Sequence, residues 1–285
     1  MFKRALMLWM LCCPAWQAIA IDWYVRDWPP FNIQQGPQAG QGSFDLMLAQ
    51  LIEALPEYQH RQLLSTLTKR EQMMQQNLPH CLFGALKSPE RQEKMLFSDI
   101  AFYSAALRLV ALSDHPLWQS ADADDTLELS TLFQQPWNGM VEQKRLYPTK
   151  IQQHTGKLLQ VSATTTDLVA MLKAGRADYV VEYPDRVHWL ASQHPAVSLR
   201  YARIAGETPV VPIYVACQKS PQAAGQIAAI NQALQHLRRS PAYQQAWLHG
   251  LREQSRQELQ QAVADDPLFQ PVATPKSVYD KLATR

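Results

Sequence analysis

The sequence is poor in the features that most catalytic and metal-binding proteins need. Only 4 cysteines occur in 285 residues, and the 8 histidines, at positions 60, 80, 115, 154, 188, 194, 236 and 249, show no ligand-like spacing. Beyond residue 20 only Cys81 and Cys217 remain, and two cysteines without a clustered histidine pattern do not make a zinc site, so no metal is expected. There is no Ser-His-Asp or Cys-His arrangement in local context and no glycine loop that cradles phosphate. No catalytic residue and no cofactor are therefore expected. No apolar run approaches the roughly 20 residues that a membrane span needs. Charge of one sign is lacking too, as set out next, which argues against nucleic acid and anionic membranes as partners, since both need clustered Lys and Arg.

What is present begins at the amino terminus. Lys3 and Arg4 precede the apolar run from Ala5 to Cys13, and Ala18-Ile19-Ala20 places small residues at the −3 and −1 positions. That is the layout of a cleavable secretory signal over residues 1 to 20, with cleavage after Ala20 and export to the periplasm. The residues ahead of Cys12 and Cys13 are not those of a lipoprotein site, so no lipid anchor is expected. Of the 27 Lys and Arg, only Lys3 and Arg4 lie in that segment, leaving 25 basic against 25 acidic residues. Of the cysteines, Cys81 and Cys217 remain. An oxidising compartment favours joining them where geometry allows, and two separate buried thiols is the other reading.

Along the chain, strands alternate with helices. Ile21 to Val25 reads as a strand that runs into Asp27-Trp28-Pro29-Pro30-Phe31, an irregular aromatic loop because consecutive prolines remove donors. Ser43 is expected to cap a helix whose apolar residues run from Phe44 to Leu55, ended by Pro56. Further strands are expected at Gln62 to Leu64 and His80 to Leu86, with a helix from Thr68 to Asn77 between them. Ser88-Pro89-Glu90-Arg91 marks a helix start, with a capping residue, a proline at the first position and an acid in the first turn. Leu107 to Leu112 reads as extended.

The alternation resumes at Gly139 to Glu142, Leu158 to Val161, a helix from Asp167 to Ala174, and strands at Asp178 to Glu182, Leu199 to Ile204 and Pro209 to Cys217. Two amphipathic helices follow, one carrying Ile227 to Leu237 and the other Tyr243 to Leu251. This order argues for an α/β protein with parallel sheets covered on both faces. About 265 residues beyond the leader exceed one ordinary core and fit two lobes. The segment from Asp265, with three prolines, reads as a loosely docked tail.

The succession Asp27-Trp28-Pro29-Pro30-Phe31, Gly42-Ser43-Phe44-Asp45-Leu46, Gly84 through Lys87-Ser88-Pro89-Glu90-Arg91, and Phe97-Ser98-Asp99 with Phe102-Tyr103 resembles family 3 of the bacterial extracellular solute-binding proteins. Leu172-Lys173-Ala174-Gly175-Arg176-Ala177-Asp178 and the closing strand with two helices fit the same family, as a divergent branch. The resemblance implies two Rossmann-like α/β lobes joined by a two-strand hinge, the type II periplasmic-binding-protein fold, with ligand held between the lobes. It implies a first lobe at 21 to 111 and 210 to 264, a second at 112 to 209, hinges at 107 to 112 and 205 to 213, and a tail at 265 to 285.

From the same resemblance, Arg91 would grip a ligand carboxylate with its guanidinium fork. The alternative is a surface pairing of Arg91 with Glu90 or Glu93. Glu182 would face a ligand amine, or sit solvated at the surface. Trp28 and Phe31 would form an aromatic wall, or plug the end of the first lobe's core. Gly84, Lys87 and Ser88 complete the implied ligand-binding set. Phe83, Gly84 and Leu86 stand where small hydroxyl donors are usual, so the standard amino-acid pocket is not reproduced. The fold also implies that Cys81 and Cys217 lie on neighbouring strands and form a disulfide.

The expected function is that of a monomeric periplasmic protein which captures a small, polar, carboxylate-bearing molecule, amino acid-like, for uptake through an inner-membrane ABC permease. The alternatives are an extracytoplasmic sensor or accessory protein read by a membrane partner, and a dehydratase-type enzyme on the same fold.

Overall fold

The computed structural model describes residues 20–162 and 167–270. All of the expected leader except Ala20, and residues 271–285 of the expected tail, lie outside the described residues.

In chain order, the first lobe opens with β1 (Ala20–Val25), α1 (Ser43–Glu53), β2 (Gln59–Leu64), α2 (Leu67–Gln75), β3 (Cys81–Ala85), α3 (Pro89–Lys94) and β4 (Met95–Ala105). The second lobe contains β5 (Arg108–Leu112), β6 (Thr126–Leu127), α4 (Leu129–Leu132), β7 (Gly139–Glu142), α5 (Thr149–Gln152), β8 (Leu159–Val161), α6 (Leu168–Lys173), β9 (Tyr179–Glu182), α7 (Pro184–Ala191) and β10 (Leu199–Ile204). The chain then returns through β11 (Val210–Gln218), α8 (Ala223–Leu237), α9 (Pro241–Leu248) and α10 (Glu253–Val263). The sheets have the orders β2-β1-β3-β11-β4 and β6-β10-β5-β9-β7-β8. The protein is thus two α/β lobes joined by two crossings.

The crossings are shorter than the sequence suggests. Leu109, Val110 and Ala111 are fully buried, and β5 pairs with β9 and β10 in the second sheet. Only residues 106–107 and 205–209 are left between the sheets, and Ala106 N–H donates to the Pro209 carbonyl at 3.0 Å. Both sheets are mixed, not parallel throughout: β11 runs against β3 and β4, and β5 runs against β9 and β10. The cause is the two crossings. A strand that leaves a crossing runs away from the cleft, opposite to the strands whose carboxyl ends face it. Alternation of strand and helix cannot register that reversal.

Packing follows the apolar pattern. Trp23, Met47, Leu48 and Leu51 are buried in the first lobe, where α1 lies against α8 and α9. The cap of α1 is Gly42, one residue before the expected Ser43. A Cβ at Gly42 would stand 2.3 Å from the Phe31 carbonyl oxygen, so the close approach of the aromatic loop requires glycine there. Cys81 and Cys217 are register partners on β3 and β11 and are joined by a disulfide. Residues 265–270 are docked: Phe269 is buried, 5.6 Å from the rings of both Tyr103 and Trp247, and Tyr103 donates to Asp266 at 3.0 Å.

Candidate functional site

The carboxyl ends of β1, β2, β3, β7 and β9 face each other across the gap between the lobes, where loops and helix starts place side chains in open α/β sheets. Each end delivers charge. Arg26 follows β1, Arg70 lies on α2 after β2, Arg91 lies on α3 after β3, Glu142 closes β7, and Glu182 closes β9. Between them is a cavity of about 540 Å³, of the size that holds a small molecule.

The aromatic loop forms one wall. Asp45, at the start of α1, accepts from Ile33 N–H at 2.6 Å, Asn32 Nδ2 at 2.8 Å, Gln34 Nε2 at 2.9 Å and Gly42 N–H at 3.2 Å. Burial pushes its carboxyl up, and these four donors oppose that shift. Held in this way, Trp28 is buried at the edge of the cavity, with Phe31 at 4.6 Å and Tyr183 of the opposite lobe at 5.5 Å. Arg26 stacks over the Trp28 ring at 3.9 Å.

The second lobe brings paired charges. Arg145 donates to Glu182 Oε1 at 2.5 Å and lies 3.7 Å from Glu142 Oε2 and 4.5 Å from the Tyr183 ring centroid. Burial works against the Arg145 charge, but Glu182, Tyr147, Tyr183 and Glu142 outweigh it and raise its pKa well above the usual value. Glu182 is 1% exposed; burial alone would raise its pKa, yet Arg145 and Arg186 hold it below the ordinary carboxylate range. Across the gap, Arg26 donates to Glu142 at 2.6 Å, Lys144 pairs with Glu71 at 3.0 Å, and Arg186 donates to the Pro29 carbonyl at 3.2 Å.

Two cleft-facing arginines of the first lobe stand without acids among the described residues. Arg91 donates to the Leu86 carbonyl at 3.1 Å, and Arg70 to Ser65 Oγ at 3.1 Å and the Tyr24 carbonyl at 2.9 Å. Neither belongs to an ion pair among the described residues. Burial, followed by repulsion from Arg26, pushes the Arg91 guanidinium down, and burial with repulsion from Arg26 and Arg91 does the same to Arg70.

Of the residues singled out in the sequence, Trp28, Gly84, Ser88 and Arg91 line this cavity. Ser88 caps α3 by accepting from Arg91 N–H at 3.3 Å. Gly84 has φ +89°, and a Cβ there would meet the Phe44 ring at 2.6 Å, so it has a packing role of its own. Three residues are placed elsewhere. Phe31 is buried among Trp28, Phe44 and Tyr183, Lys87 is exposed with its ammonium 4.2 Å from the Tyr214 ring centroid, and Glu182 is held by arginines behind the cavity wall. Sequence reasoning missed Arg26, Arg70, Arg145 and Glu142. Arg26 and Glu142 stand at strand carboxyl ends and could have been found by that rule; Arg70 and Arg145 carry no local signal. Among the described residues, no group of three or more His, Cys, Asp or Glu is placed to hold a metal ion.

No family model matches the chain, and no curated protein matches it. Solved structures do. A putative L-cystine ABC transporter protein from Listeria monocytogenes is 15% identical, with TM-score 0.63 over 85% of this chain and 99% of that one. An amino acid ABC transporter substrate-binding protein from Streptococcus pneumoniae, bound to L-arginine, is 15% identical, with TM-score 0.61 over 83% and 97%. A periplasmic His/Glu/Gln/Arg/opine family-binding protein from Silicibacter pomeroyi, in complex with lysine, is 14% identical, with TM-score 0.59 over 83% and 99%. With its two lobes, its paired crossings and its interlobe cavity, the chain has the type II periplasmic-binding-protein fold.

Proposed function

We propose that the protein is an exported solute-binding protein, a divergent member of family 3, that captures a small carboxylate-bearing molecule between its lobes for uptake or sensing. The observation that carries this reading is the interlobe cavity with Arg91 on its wall and no acid paired to that arginine. A guanidinium fork binds a carboxylate through two parallel hydrogen bonds, which fixes orientation as well as adding affinity. Trp28 lines the same cavity, and Ser88 holds the turn that carries Arg91. A ligand that touches both walls favours the closed arrangement by its differential affinity, and an ABC permease or a membrane sensor reads that arrangement. The solved relatives whose names mention amino acids are consistent with a solute of this size.

The test is a thermal-shift screen of wild type and Arg91→Ala with small carboxylates, amino acids, oligopeptides and polyamines. A ligand of the native state at a hundred times its Kd stabilises by about 2.7 kcal/mol, or roughly 5–10 °C for a protein of this size. The expected result is a carboxylate that shifts wild type and not Arg91→Ala. Equal shifts in both proteins would remove Arg91 from the site.

A further inference from the structure

The cavity has a charge pattern that narrows its ligand further. Six cationic side chains line it (Arg26, Arg70, Arg91, Lys94, Lys144 and Arg145) against two anionic ones, Glu71 and Glu90. Both acids stand at the rim: Glu71 is taken by Lys144, and Glu90 is exposed. The two buried carboxylates nearby, Glu142 and Glu182, are held by Arg26 and Arg145 and do not line the cavity. The place beside Glu182, where an ammonium group of a ligand could be received, is filled by the protein's own Arg145 guanidinium. That side chain is 7% exposed, lines the cavity, and its Nη2 is buried without a hydrogen-bond partner.

Resting on the interlobe-binding reading above, we infer that the cavity takes an anion with at least two negative charges and no ammonium group, a small dicarboxylate. Arg70 and Arg91 are two half-buried cations with no paired acid among the described residues, and a partly desolvated charge gains from a counter-charge brought to it. One carboxylate of the ligand meets the Arg91 and Arg70 wall. The second lies toward the positive charge of Arg145, whose side chain lines the cavity. An ammonium on the same ligand would meet guanidinium groups inside the cavity and an unpaired acid only at the rim, at Glu90, so zwitterionic amino acids are selected against.

Matched pairs isolate the ammonium group. Isothermal titration of the protein with glutarate against L-glutamate, and with succinate against L-aspartate, is expected to show each dicarboxylate binding at least tenfold more tightly than its amino counterpart. Arg145→Gln, which removes the nearer of the two arginines on Glu182, is expected to bring those ratios toward one. An amino acid that binds as well as or better than its dicarboxylate, with binding lost in Arg91→Ala, overturns the ligand class and leaves the cleft reading standing. No binding by any of the four probes also overturns the ligand class, and the wider screen then decides the cleft reading separately. If Arg145→Gln does not fold, the wild-type ratios alone decide the matter.

Discussion

The two lobes have similar layered architectures and opposite electrostatic habits. The first lobe faces the cleft with Arg26, Arg70 and Arg91, and none of the three pairs with an acid of that lobe. The second sets Glu142 and Glu182 against Arg145 and Arg186 behind its wall, and adds Lys144, which pairs across the gap with Glu71. The surplus of one wall is met across the gap, by Glu142 for Arg26, and is left open at Arg70 and Arg91. Closing the cleft is therefore also the act that compensates the first lobe's charge, and the part left uncompensated is the part a ligand can use. The lobes differ in covalent reinforcement as well: the first carries the Cys81–Cys217 bridge between β3 and β11, while the second has no cysteine.

Removing one carboxylate from the second lobe's paired charges is expected to have the largest effect. Glu182→Ala leaves Arg145 and Arg186 buried with one acid fewer, which costs about 3–5 kcal/mol; urea unfolding should show the loss. Glu182 also gives the second lobe an acid sensitivity. Its folded pKa lies below the ordinary glutamate value, so its contribution is complete above that value and is lost as pH falls through the folded pKa. Unfolding midpoints measured down through about pH 4 should fall for wild type and fall less for Glu182→Gln. If the acid response is the same in both proteins, the Glu182 pairing does not support the second lobe as described.

The bridge comes next and concerns the other lobe. Cys81→Ser with Cys217→Ser is expected to cost about 2–4 kcal/mol, because the crosslink closes a long loop in the unfolded chain. Hydrogen exchange should place the weakening in β3 and β11 and spare the second sheet. The cross-cleft pair follows. Glu142→Gln keeps the shape of the side chain and removes the charge facing Arg26, at about 1–3 kcal/mol, and small-angle scattering should show a larger radius of gyration as the lobes part. An unchanged radius would mean that the Arg26–Glu142 contact does not hold the cleft shut. The smallest effect is expected from Ser88→Ala, which removes the cap of α3 at about 1 kcal/mol and should lower affinity at Arg91 more than it lowers stability.

Much of the fold was legible in the sequence because it rests on local signals. Apolar runs mark β1, β3, β7, β9 and β11, the helical repeat from Phe44 to Leu55 marks α1, and Ser88-Pro89-Glu90 marks the start of α3. The reversal of β5 and β11 was not legible, because strand direction follows from where the chain crosses between lobes. β4, with 11 residues, and α10 were also missed: β4 interrupts its apolar pattern with Ser98, Asp99 and Ser104, and α10 is polar enough to read as surface.

The site was less legible than the fold. Ser88 and Arg91 are adjacent to a recognisable turn, so a short motif brought them out. Arg145 and Glu182 are 37 residues apart, and Arg26 and Glu142 are 116 apart. A guanidinium that occupies the seat beside Glu182 is a consequence of the second sheet's order, in which β7 lies next to β9. Nothing in the residues near either position announces it.

The most direct test of the account is a crystal structure of the protein with glutarate. The expected result is ligand between the lobes with a carboxylate oxygen about 3 Å from the Arg91 guanidinium. Glutarate found outside the cleft, or within it but out of reach of Arg91, would contradict the account.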